Sequence, residues 1–557
     1  MIISFYNLTK ADIFSMIRSI IFIVLSISLT IISTCFANVL EYDIKYLEKN
    51  DPVGLHIDLK SKVDASGQFI LRLPWGSHNL LLKSSDENLQ LEQTDDTFLT
   101  KFKAKPDSEF ILSYDFALNN PYHLNDWAII EPQFFVFSAQ NVLATPETQT
   151  DETWVININM ASMPSDFSLS SSFSLRDRVY SVESNIYNFR NHVFVGGSDS
   201  RNTIIMVNEK PISIFTRGPL SRLPKKSEYY FDKLISAQRN FWNDHDFPHY
   251  LAVVQEYPCE GTGAASNGRH YQNAFIAQLP HCKNDFEATR ESMWMISHEL
   301  FHAWLGYKIK VEDSELPHLF WFIEGFNDYY GLKIAFESGL LDFSGYIAQY
   351  NALIRYYYLL PIKQIANETI ANNHQKDMHY RLLAQIRGHF LAKALAKQLA
   401  NTSLSLDSLM HKILVDKQQT TKPYKREDLY KLFNDYLGEK QWQEFYHQIQ
   451  EGGLIDFLPD DFGENATLIS LDVDVADLGF DLQALIETQT IRQLDTNSKA
   501  YEAGLREGQK IGAYSVNLCK PYKDISFGIE ENGEYKEITF TPNKIKKQIP
   551  QYVLKES

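Results

Sequence analysis

Residues 298–302 read His298-Glu-Leu-Phe-His302. On a helix, side chains four positions apart lie on the same face, so both imidazoles project in one direction. Two imidazoles at this spacing suit a tetrahedral zinc ion. Glu299 stands beside the first of them, where it is placed to take a proton from a coordinated water. The string therefore predicts a helix that carries two zinc ligands and a general base.

A second helical stretch lies downstream, at residues 321–330, and reads WFIEGFNDYY. Most neighbours of Glu324 in this segment are apolar, and a carboxylate buried among apolar side chains is costly unless it is paired or bound to a metal. Asp328 follows one helical turn later and is placed to accept a hydrogen bond from a ligand histidine. The predicted metal ligands are His298, His302 and Glu324, the predicted catalytic base is Glu299, and Asp328 is predicted to orient a ligand ring.

The predicted site favours hydrolysis of a peptide bond. Zinc polarises a carbonyl and lowers the pKa of a coordinated water. Glu299 would act as the general base and then pass the proton to the leaving amine. Hydrolysis of a non-peptide ester by the same residues stays open as an alternative.

The composition is that of an ordinary globular protein. The chain has 557 residues, of which 44% are hydrophobic and 22% charged. A chain of this length is expected to form about three domains. The formal net charge of -17 argues against a general nucleic-acid binder, because such a protein needs a basic face to neutralise phosphates.

The amino terminus is typical of a secretory signal peptide. Arg18 precedes an apolar run that begins at Ile20, and small and polar residues lead to Ala37. This pattern predicts a signal peptide over residues 1–37 and a periplasmic or secreted protein, with no stable transmembrane segment after cleavage. A signal anchor that stays in place is the alternative.

Export would permit a disulfide bond. Cys259 and Cys282 are the candidate pair, since they flank one loop, and Cys519 would then be a free thiol. The alternative is that all of these cysteines are free thiols.

Hydrophobic periodicity divides the mature chain into three parts. In residues 38–222 apolar and polar residues alternate, as in Leu55-His-Ile-Asp-Leu59, which predicts strands buried on one face. Residues 223–455 show mainly helical spacing, and residues 458–550 return to short strands and turns. We therefore expect an α+β multidomain protein in which the metal site lies in the second part.

Four stretches of the chain match motifs of one known family. They are His298-Glu-Leu-Phe-His302-Ala-Trp304, residues 321–330, Leu71-Arg-Leu-Pro-Trp75, and residues 498–511, which read SKAYEAGLREGQKI. These motifs resemble the glycyl aminopeptidase family of gluzincin zinc metallopeptidases, whose members carry a C-terminal PDZ domain. The resemblance implies an aminopeptidase-like hydrolase that uses Zn2+ and acts on peptides or proteins.

The resemblance also implies an architecture. We expect a β-sandwich-like N-terminal domain over residues 38–222, a thermolysin-like, mainly helical catalytic domain over 223–455, and a PDZ-like domain over 458–550. In the last of these, Leu478-Gly-Phe480 is the expected loop whose backbone amides hold a peptide C-terminus. A small β domain without that function is the alternative.

The substrate-binding loop departs from the family's pattern. Residues 263–267, which read GAASN, occupy its place, so Gly263, Ala264 and Asn267 are expected to contact the substrate. Relatives have a glutamate here that holds the substrate's free amine, but this chain has Ser266. The charge that restricts relatives to single N-terminal residues is therefore missing.

A second departure concerns the transition state. Relatives place a tyrosine where its hydroxyl stabilises the developing oxyanion, and the matching residue here is Gln385. Tyr380, His379 and His389 are the candidates to substitute for it.

Two functions therefore compete. The first is a working zinc peptidase with altered terminal specificity. The second is a catalytically weak zinc-binding protein that binds peptides or partner tails through its PDZ-like and catalytic domains. Glu299 favours the first, because a purely structural zinc site does not need it. Three other histidines are interpreted as ordinary surface or loop residues: His270, His281 and His318.

Overall fold

The computed structural model describes residues 38–555, with gaps at 51, 93, 95, 97, 119–127, 149–150, 221–222, 224–225, 246–248, 259–265, 282–286, 401, 421 and 532–533. The chain divides into two compact units, Met1–Asp199 and Ser200–Ser557. Three expectations fall outside the described residues: the signal peptide of residues 1–37, the pairing of Cys259 with Cys282, and the substrate contacts of Gly263 and Ala264.

The first unit is built from β-sheets. Leu55, Ile57 and Leu59 are fully buried, as their alternation with polar residues predicts. Its elements are β1 (Val39–Leu47), β2 (Gly54–Lys62), β3 (Gln68–Arg72), β4 (Ser77–Ser84), β5 (Gln90–Glu92), β6 (Leu99–Lys103), β7 (Glu109–Ala117), β8 (Ile129–Glu131), β9 (Phe134–Ser138), α1 (Ala139–Val142), β10 (Thr145–Pro146), β11 (Trp154–Asn159), β12 (Ser168–Ser171), β13 (Val179–Ser184), α2 (Ile186–Arg190) and β14 (Val193–Gly197). They form a six-stranded sheet of order β13-β11-β1-β2-β7-β4 and two four-stranded sheets, β10-β3-β6-β5 and β12-β14-β9-β8.

The second unit begins with a five-stranded sheet of order β15-β16-β17-β19-β18, whose elements are β15 (Ser200–Val207), β16 (Lys210–Arg217), α3 (Ser227–Trp242), β17 (Tyr250–Pro258), β18 (Asn267–Tyr271) and β19 (Ala274–His281). The sequence grouped residues 200–217 with the N-terminal β domain, but β15 and β16 belong to this sheet. The reason is that β16 pairs in parallel with β17, and α3 is the crossover helix that such a pairing requires. Strand β18 lies at the edge of the sheet.

Helices follow the sheet and share a hydrophobic core with it. The later helices are α4 (Glu287–Phe301), α5 (Leu316–Glu337), α6 (Phe343–Leu359), α7 (Asn367–Asn373), α8 (Met378–Leu399), α9 (Leu406–Gln419), α10 (Arg426–Leu437) and α11 (Glu439–Glu451). Phe231 of α3 and Phe275 of β19 pack in this core with residues of all of these helices except α6 and α7, which contribute to a different core. Among the described helices, none has the length and apolar character needed to cross a membrane.

Helices α5 and α8 approach each other at a pair of glycines. A Cβ atom added to Gly388 would lie 1.9 Å from the carbonyl oxygen of Trp321, and one added to Gly325 would lie 2.4 Å from the Cα atom of Gly388. Atoms do not approach so closely, so the crossing requires glycine on both helices. This close crossing brings the side of α8 that carries Gln385 against α5.

We expect Gly388→Ala to lower the free energy of unfolding by about 3 kcal/mol, because the new methyl group forces the helices apart. Helix propensity alone predicts the opposite sign, since alanine is favoured over glycine by about 1 kcal/mol within a helix. Urea denaturation measures the change. Gly453→Ala is the control, because a Cβ atom there meets nothing within 4 Å. A Gly388→Ala protein as stable as the parent would contradict the close crossing.

The C-terminal segment packs against α6 and α8 in a second hydrophobic core. Its elements are β20 (Ala466–Asp477), α12 (Leu482–Thr488), α13 (Lys499–Ala503), β21 (Ala513–Ser515), β22 (Ile525–Glu531), β23 (Glu534–Phe540) and β24 (Asn543–Leu554). Asn351 of α6 makes two hydrogen bonds to the backbone of Tyr552 in β24, each 2.8 Å long. These bonds fix the segment to the helices that flank α5.

The loop expected to hold a peptide C-terminus has a different environment. The backbone N–H of Gly479 donates to the Asp477 carboxylate over 3.1 Å, and helix α12 begins two residues after Phe480. An amide that already faces a carboxylate disfavours capture of a second one. The PDZ-like assignment of residues 458–550 itself stays a prediction.

Candidate metal centre

Two helices bring the three predicted metal ligands together. His298 lies in the last turn of α4, and His302 follows in the turn after its end, with its backbone N–H donating to the His298 carbonyl over 3.3 Å. Glu324 lies on α5. The two Nε2 atoms are 3.0 Å apart, and Oε2 of Glu324 lies 3.2 Å from that of His298 and 3.5 Å from that of His302.

These distances fit a tetrahedral zinc ion. Bonds of about 2.0–2.1 Å to a tetrahedral zinc place neighbouring ligand atoms about 3.3 Å apart. Observed separations of 3.0 to 3.5 Å match that edge length. Two imidazole nitrogens and one carboxylate oxygen are also the donor set that catalytic zinc sites use, with a fourth position left for water or substrate.

Asp328 lies where the sequence predicted it. Its Oδ1 atom is 2.8 Å from Nδ1 of His298, and its Oδ2 atom accepts a 2.8 Å hydrogen bond from Nε2 of Gln385. Gln385 on α8 therefore positions Asp328, and Asp328 in turn positions the His298 ring. The Nε2 atom of His298 then faces Glu324 and His302. A carboxylate in this position fixes both the tautomer and the orientation of a ligand imidazole.

His302 has its own support, which the sequence did not reveal. Its Nδ1 atom lies 3.0 Å from the carbonyl oxygen of Leu305. Asn327 on α5 is fully buried and donates from Nδ2 to the same oxygen over 2.9 Å. Because Asn327 follows Glu324 by three positions, it shares the face of α5 that meets the site. That spacing is the sequence feature from which a position of Asn327 at the site could have been predicted.

Glu299 is buried and lies against the edge strand β18. A Cβ atom added to Gly268 would lie only 2.2 Å from Oε1 of Glu299, so glycine is required there for the carboxylate to occupy its place. Burial raises the pKa of Glu299, and the imidazoles of His298 and His302 only partly offset this effect. A carboxyl group with a raised pKa is a better proton acceptor, as a general base requires.

The predicted ligands shift one another's pKa values. Burial alone would raise the pKa of Glu324, but the imidazoles of His302 and His298 outweigh it and hold that pKa well below its usual range. Burial alone would lower the pKa of His298, but the carboxylates of Asp328 and Glu324 raise it well above its usual range. The carboxylate of Glu324 therefore stays ionised over the whole physiological range.

The interpretation of His270 as an ordinary loop residue was wrong. Its ring lies on the ring of His302, with centroids 3.9 Å apart and planes 21° apart. Its ligand atoms also approach those of Glu299 and His302 within 4.8 Å. Burial and the neighbouring His302 lower the pKa of His270 well below its usual range. The sequence feature that could have indicated this position is the spacing of two residues between Gly268 and His270, since alternate residues of a strand face the same side.

The candidates to replace the missing tyrosine lie elsewhere. His379 contacts Asp377 and Tyr514, with Nδ1 2.8 Å from the Asp377 carboxylate. His389 packs among Tyr329, Tyr350 and Phe390, and Tyr380 is buried in the core shared with the C-terminal segment. Their described contacts do not include the three predicted ligands.

We expect Asp328→Asn to weaken zinc binding by about 10–100-fold, because the ring of His298 loses its anionic partner. Gln385→Leu should weaken it in the same direction by a smaller factor, since Asp328 stays but loses its support from α8. Competition with a fluorescent chelator measures both. Gln398→Leu, at an exposed position of the same helix, is the control. Equal zinc affinity in the Asp328→Asn and parent proteins would contradict this arrangement.

Comparison with known proteins finds similarity in sequence and in fold. Residues 291–381, which include the predicted ligands, match the model of the M61 glycyl aminopeptidase family. No curated protein matches the sequence. The fold is similar to that of an aminopeptidase N family protein from Idiomarina loihiensis, at 14% identity, with a TM-score of 0.66 over 93% of this chain and 98% of that one. A variant of an M1 zinc metallopeptidase from Deinococcus radiodurans, solved with a Tyr-Ser-Ala substrate, matches at 14% identity with a TM-score of 0.50 over 75% of this chain and 95% of that one. The chain therefore resembles the M61 glycyl aminopeptidase family in sequence, as its motifs predicted, and it resembles an aminopeptidase N family protein and an M1 zinc metallopeptidase in fold.

Proposed function

We propose that this chain is a zinc-dependent peptidase of the gluzincin type, in which His298 and His302 of the HExxH string and Glu324 hold the metal. The observation that carries the proposal is the convergence of Nε2 of His298, Nε2 of His302 and Oε2 of Glu324 within 3.5 Å of one another. Zinc, when bound there, supplies a Lewis acid that polarises the scissile carbonyl and lowers the pKa of water.

Residues of the chain transfer the proton, orient the ligand imidazoles and exclude bulk water. Glu299 takes the proton from the attacking water and passes it to the leaving amine. Asp328 and Leu305 hold the two imidazoles so that each directs Nε2 at the centre. Burial of Glu299, His298 and His302 excludes bulk water from the reacting groups.

The edge strand β18 supports a peptide as the substrate. An extended peptide can bind beside the outermost strand of a sheet. Strand β18 is last in the order of the described strands, begins at Asn267 and passes Glu299 at Gly268. A peptide added to this edge would carry its scissile bond past the general base. We propose aminopeptidase-like cleavage in which Ser266, which stands in place of the family's glutamate, relaxes the requirement for a free terminal amine.

The proposal includes the place where the protein acts and its outer domains. We propose that residues 1–37 are a signal peptide and that the mature protein acts in the periplasm or outside the cell. The N-terminal unit is proposed as β-sandwich-like, residues 223–455 as thermolysin-like, and residues 458–550 as PDZ-like.

A mixture of defined peptides tests the function. Zinc-loaded parent protein and zinc-loaded Glu299→Gln protein are incubated with peptides whose amino termini are free or acetylated, and the products are read by mass spectrometry. Cleavage by the parent protein alone supports the peptidase. Products from acetylated peptides would show that the free amine is not required, and products from free peptides alone would show that it is.

One contact favours the second candidate, a zinc-binding protein of weak activity. Gln385 stands where relatives have the tyrosine of the oxyanion site, and its amide donates to Asp328 instead. A missing oxyanion donor costs about 10²–10³-fold in kcat. Equal cleavage, or none, by the parent and Glu299→Gln proteins would favour this candidate.

A further inference from the structure

The two histidines of the metal centre are supported unequally. His298 lies within α4, and its Nδ1 atom is 2.8 Å from the carboxylate of Asp328. His302 follows the last residue of α4, and its Nδ1 atom lies against two neutral groups. These are the carbonyl oxygen of Leu305 at 3.0 Å and the amide Nδ2 of Asn327 at 2.9 Å. Both contacts are made at one edge of the His302 ring, so they leave the plane of the ring free to tilt about that edge.

The ring of His270 covers a face of the His302 ring. The two centroids are 3.9 Å apart and the planes differ by 21°, so the rings are stacked. His302 is only 2% exposed, whereas His270 is half-buried. A functional side chain keeps its geometry when packing locks its rotamer, and a flat ring against a face resists tilting of that ring. The stack therefore restricts the motion that the contacts at Nδ1 of His302 leave free.

Two glycines make room for the stack. Gly268 precedes His270 by two positions on β18, where a Cβ atom would lie 2.2 Å from the Glu299 carboxylate, so this side of the strand faces the metal helix. Gly306, in the turn after α4, has a φ of +122°. A Cβ atom on Gly306 would lie 3.0 Å from Nδ1 of His302 and 3.4 Å from Nε2 of His270. The turn thus closes on both rings and places Nε2 of His270 beside the Nδ1 edge of His302.

We propose that His270 is a positioning residue, whose ring face holds the plane of His302 so that Nε2 of His302 is directed at the point where Nε2 of His298 and Oε2 of Glu324 converge. The inference rests on the proposed function, because it requires a metal ion at that point. A ligand imidazole binds a metal ion best when the ion lies in the plane of the ring, and contacts outside the ligand set fix that plane. The role of His270 is exerted through His302 and needs no contact between His270 and the substrate.

Zinc affinity in two variants tests the proposal. His270→Leu removes the flat ring, and it should weaken zinc binding by about tenfold, as loss of an outer partner of a zinc ligand does. His270→Phe restores a flat face without a ring nitrogen, so its zinc affinity should be close to that of the parent protein. Competition with a fluorescent chelator measures both. The matched control is His318→Leu, since His318 is another half-buried histidine of the second unit and pairs with Glu368 over 3.2 Å.

A Co2+-loaded protein separates a positioning role from a contribution to stability alone. Imidazole and carboxylate ligands bind Co2+ as well as zinc, and the visible absorption spectrum of Co2+ depends on the geometry of its ligands. The spectrum of His270→Leu should differ from that of the parent protein in position and intensity, and the spectrum of His270→Phe should match it. A lower Tm of metal-free His270→Leu with an unchanged Co2+ spectrum would overturn the proposal, because His270 would then support only the fold.

The remaining outcomes distinguish this inference from the proposed function. Equal zinc affinity in His270→Leu and the parent protein would overturn the inference and leave the peptidase intact. Equally weak binding by His270→Leu and His270→Phe would also overturn it, because the effect would then come from a ring nitrogen of His270 and not from its face. A parent protein that binds zinc but cleaves no peptide would refute the peptidase, while a difference between the two variants would still support the role of His270. A parent protein that binds no zinc would overturn both.

Discussion

Glu299→Gln should lower kcat/KM toward peptides by about 10²–10⁴-fold while the protein keeps its zinc. Glutamine has the size and hydrogen-bonding capacity to occupy the buried place of Glu299 beside Gly268. It cannot accept a proton, so the attacking water loses its base and the leaving amine loses its acid. The metal should remain, because Nε2 of His298, Nε2 of His302 and Oε2 of Glu324 are unchanged.

The measurement needs both activity and metal content. Steady-state kinetics on a cleaved peptide gives kcat/KM, and elemental analysis gives zinc per chain. Glu337→Gln is the control, since Glu337 lies on α5 but is exposed and pairs with Lys333 over 3.0 Å. A Glu299→Gln protein that keeps its zinc and full activity would remove Glu299 from the reaction. Loss of zinc in the same variant would instead make Glu299 a determinant of metal binding.

The acid limb of the pH profile depends on the same carboxyl group. Glu299 acts as a base only when it is ionised, and burial raises its pKa above the usual value of 4.5. Activity should therefore fall at a higher pH than for an exposed glutamate, as the solution is acidified through the raised pKa. The pH dependence of kcat/KM, measured from about pH 4 to about pH 8, locates this acid limb. An acid limb at the pH expected for an exposed carboxyl group would contradict the raised pKa of Glu299.

The sequence predicted the parts of the site that are local along the chain. His298 and His302 are four residues apart, and Glu324 and Asp328 are four residues apart, so each pair shares a helical face whatever the tertiary fold. The prediction of the metal site then needed only one further assumption, that the two helices lie against each other. The aromatic residues around Glu324 supported this assumption, because a helix that is apolar on most of its surface is expected to be buried.

Contacts between distant segments could not be predicted in this way. Gln385 bonds to a residue 57 positions earlier in the chain, and nothing in the periodicity of α8 selects Asp328 as its partner. His270 and Gly268 reach the site only because β18 takes the sheet edge beside α4. The placement of β15 and β16 likewise depends on the parallel pairing of β16 with a strand beyond α3. Alternation identifies a strand but not the sheet that it joins.

Glu324→Gln should abolish stoichiometric zinc binding. The variant keeps the size of the side chain and removes the anionic ligand, so a divalent ion would face two neutral imidazoles and an amide oxygen. Outer partners of zinc ligands typically contribute about 10–100-fold to affinity, and a ligand itself should contribute more. Activity should fall with the metal content, because without zinc the carbonyl is not polarised.

Zinc-dependent stabilisation gives the sharpest readout of this change. A ligand that binds only the folded chain raises its stability in proportion to RT ln(1 + [L]/Kd), so zinc should raise the Tm of the parent protein and not that of Glu324→Gln. Glu315→Gln, at the start of the same helix, is the control, since Glu315 pairs with Arg426 over 3.5 Å and lies apart from the ligands. If Glu324→Gln retained one zinc per chain and the same rise in Tm, Glu324 would not be a ligand. The two imidazoles would then need another partner, and His270, stacked on His302, lies near enough to be examined first by the same experiment.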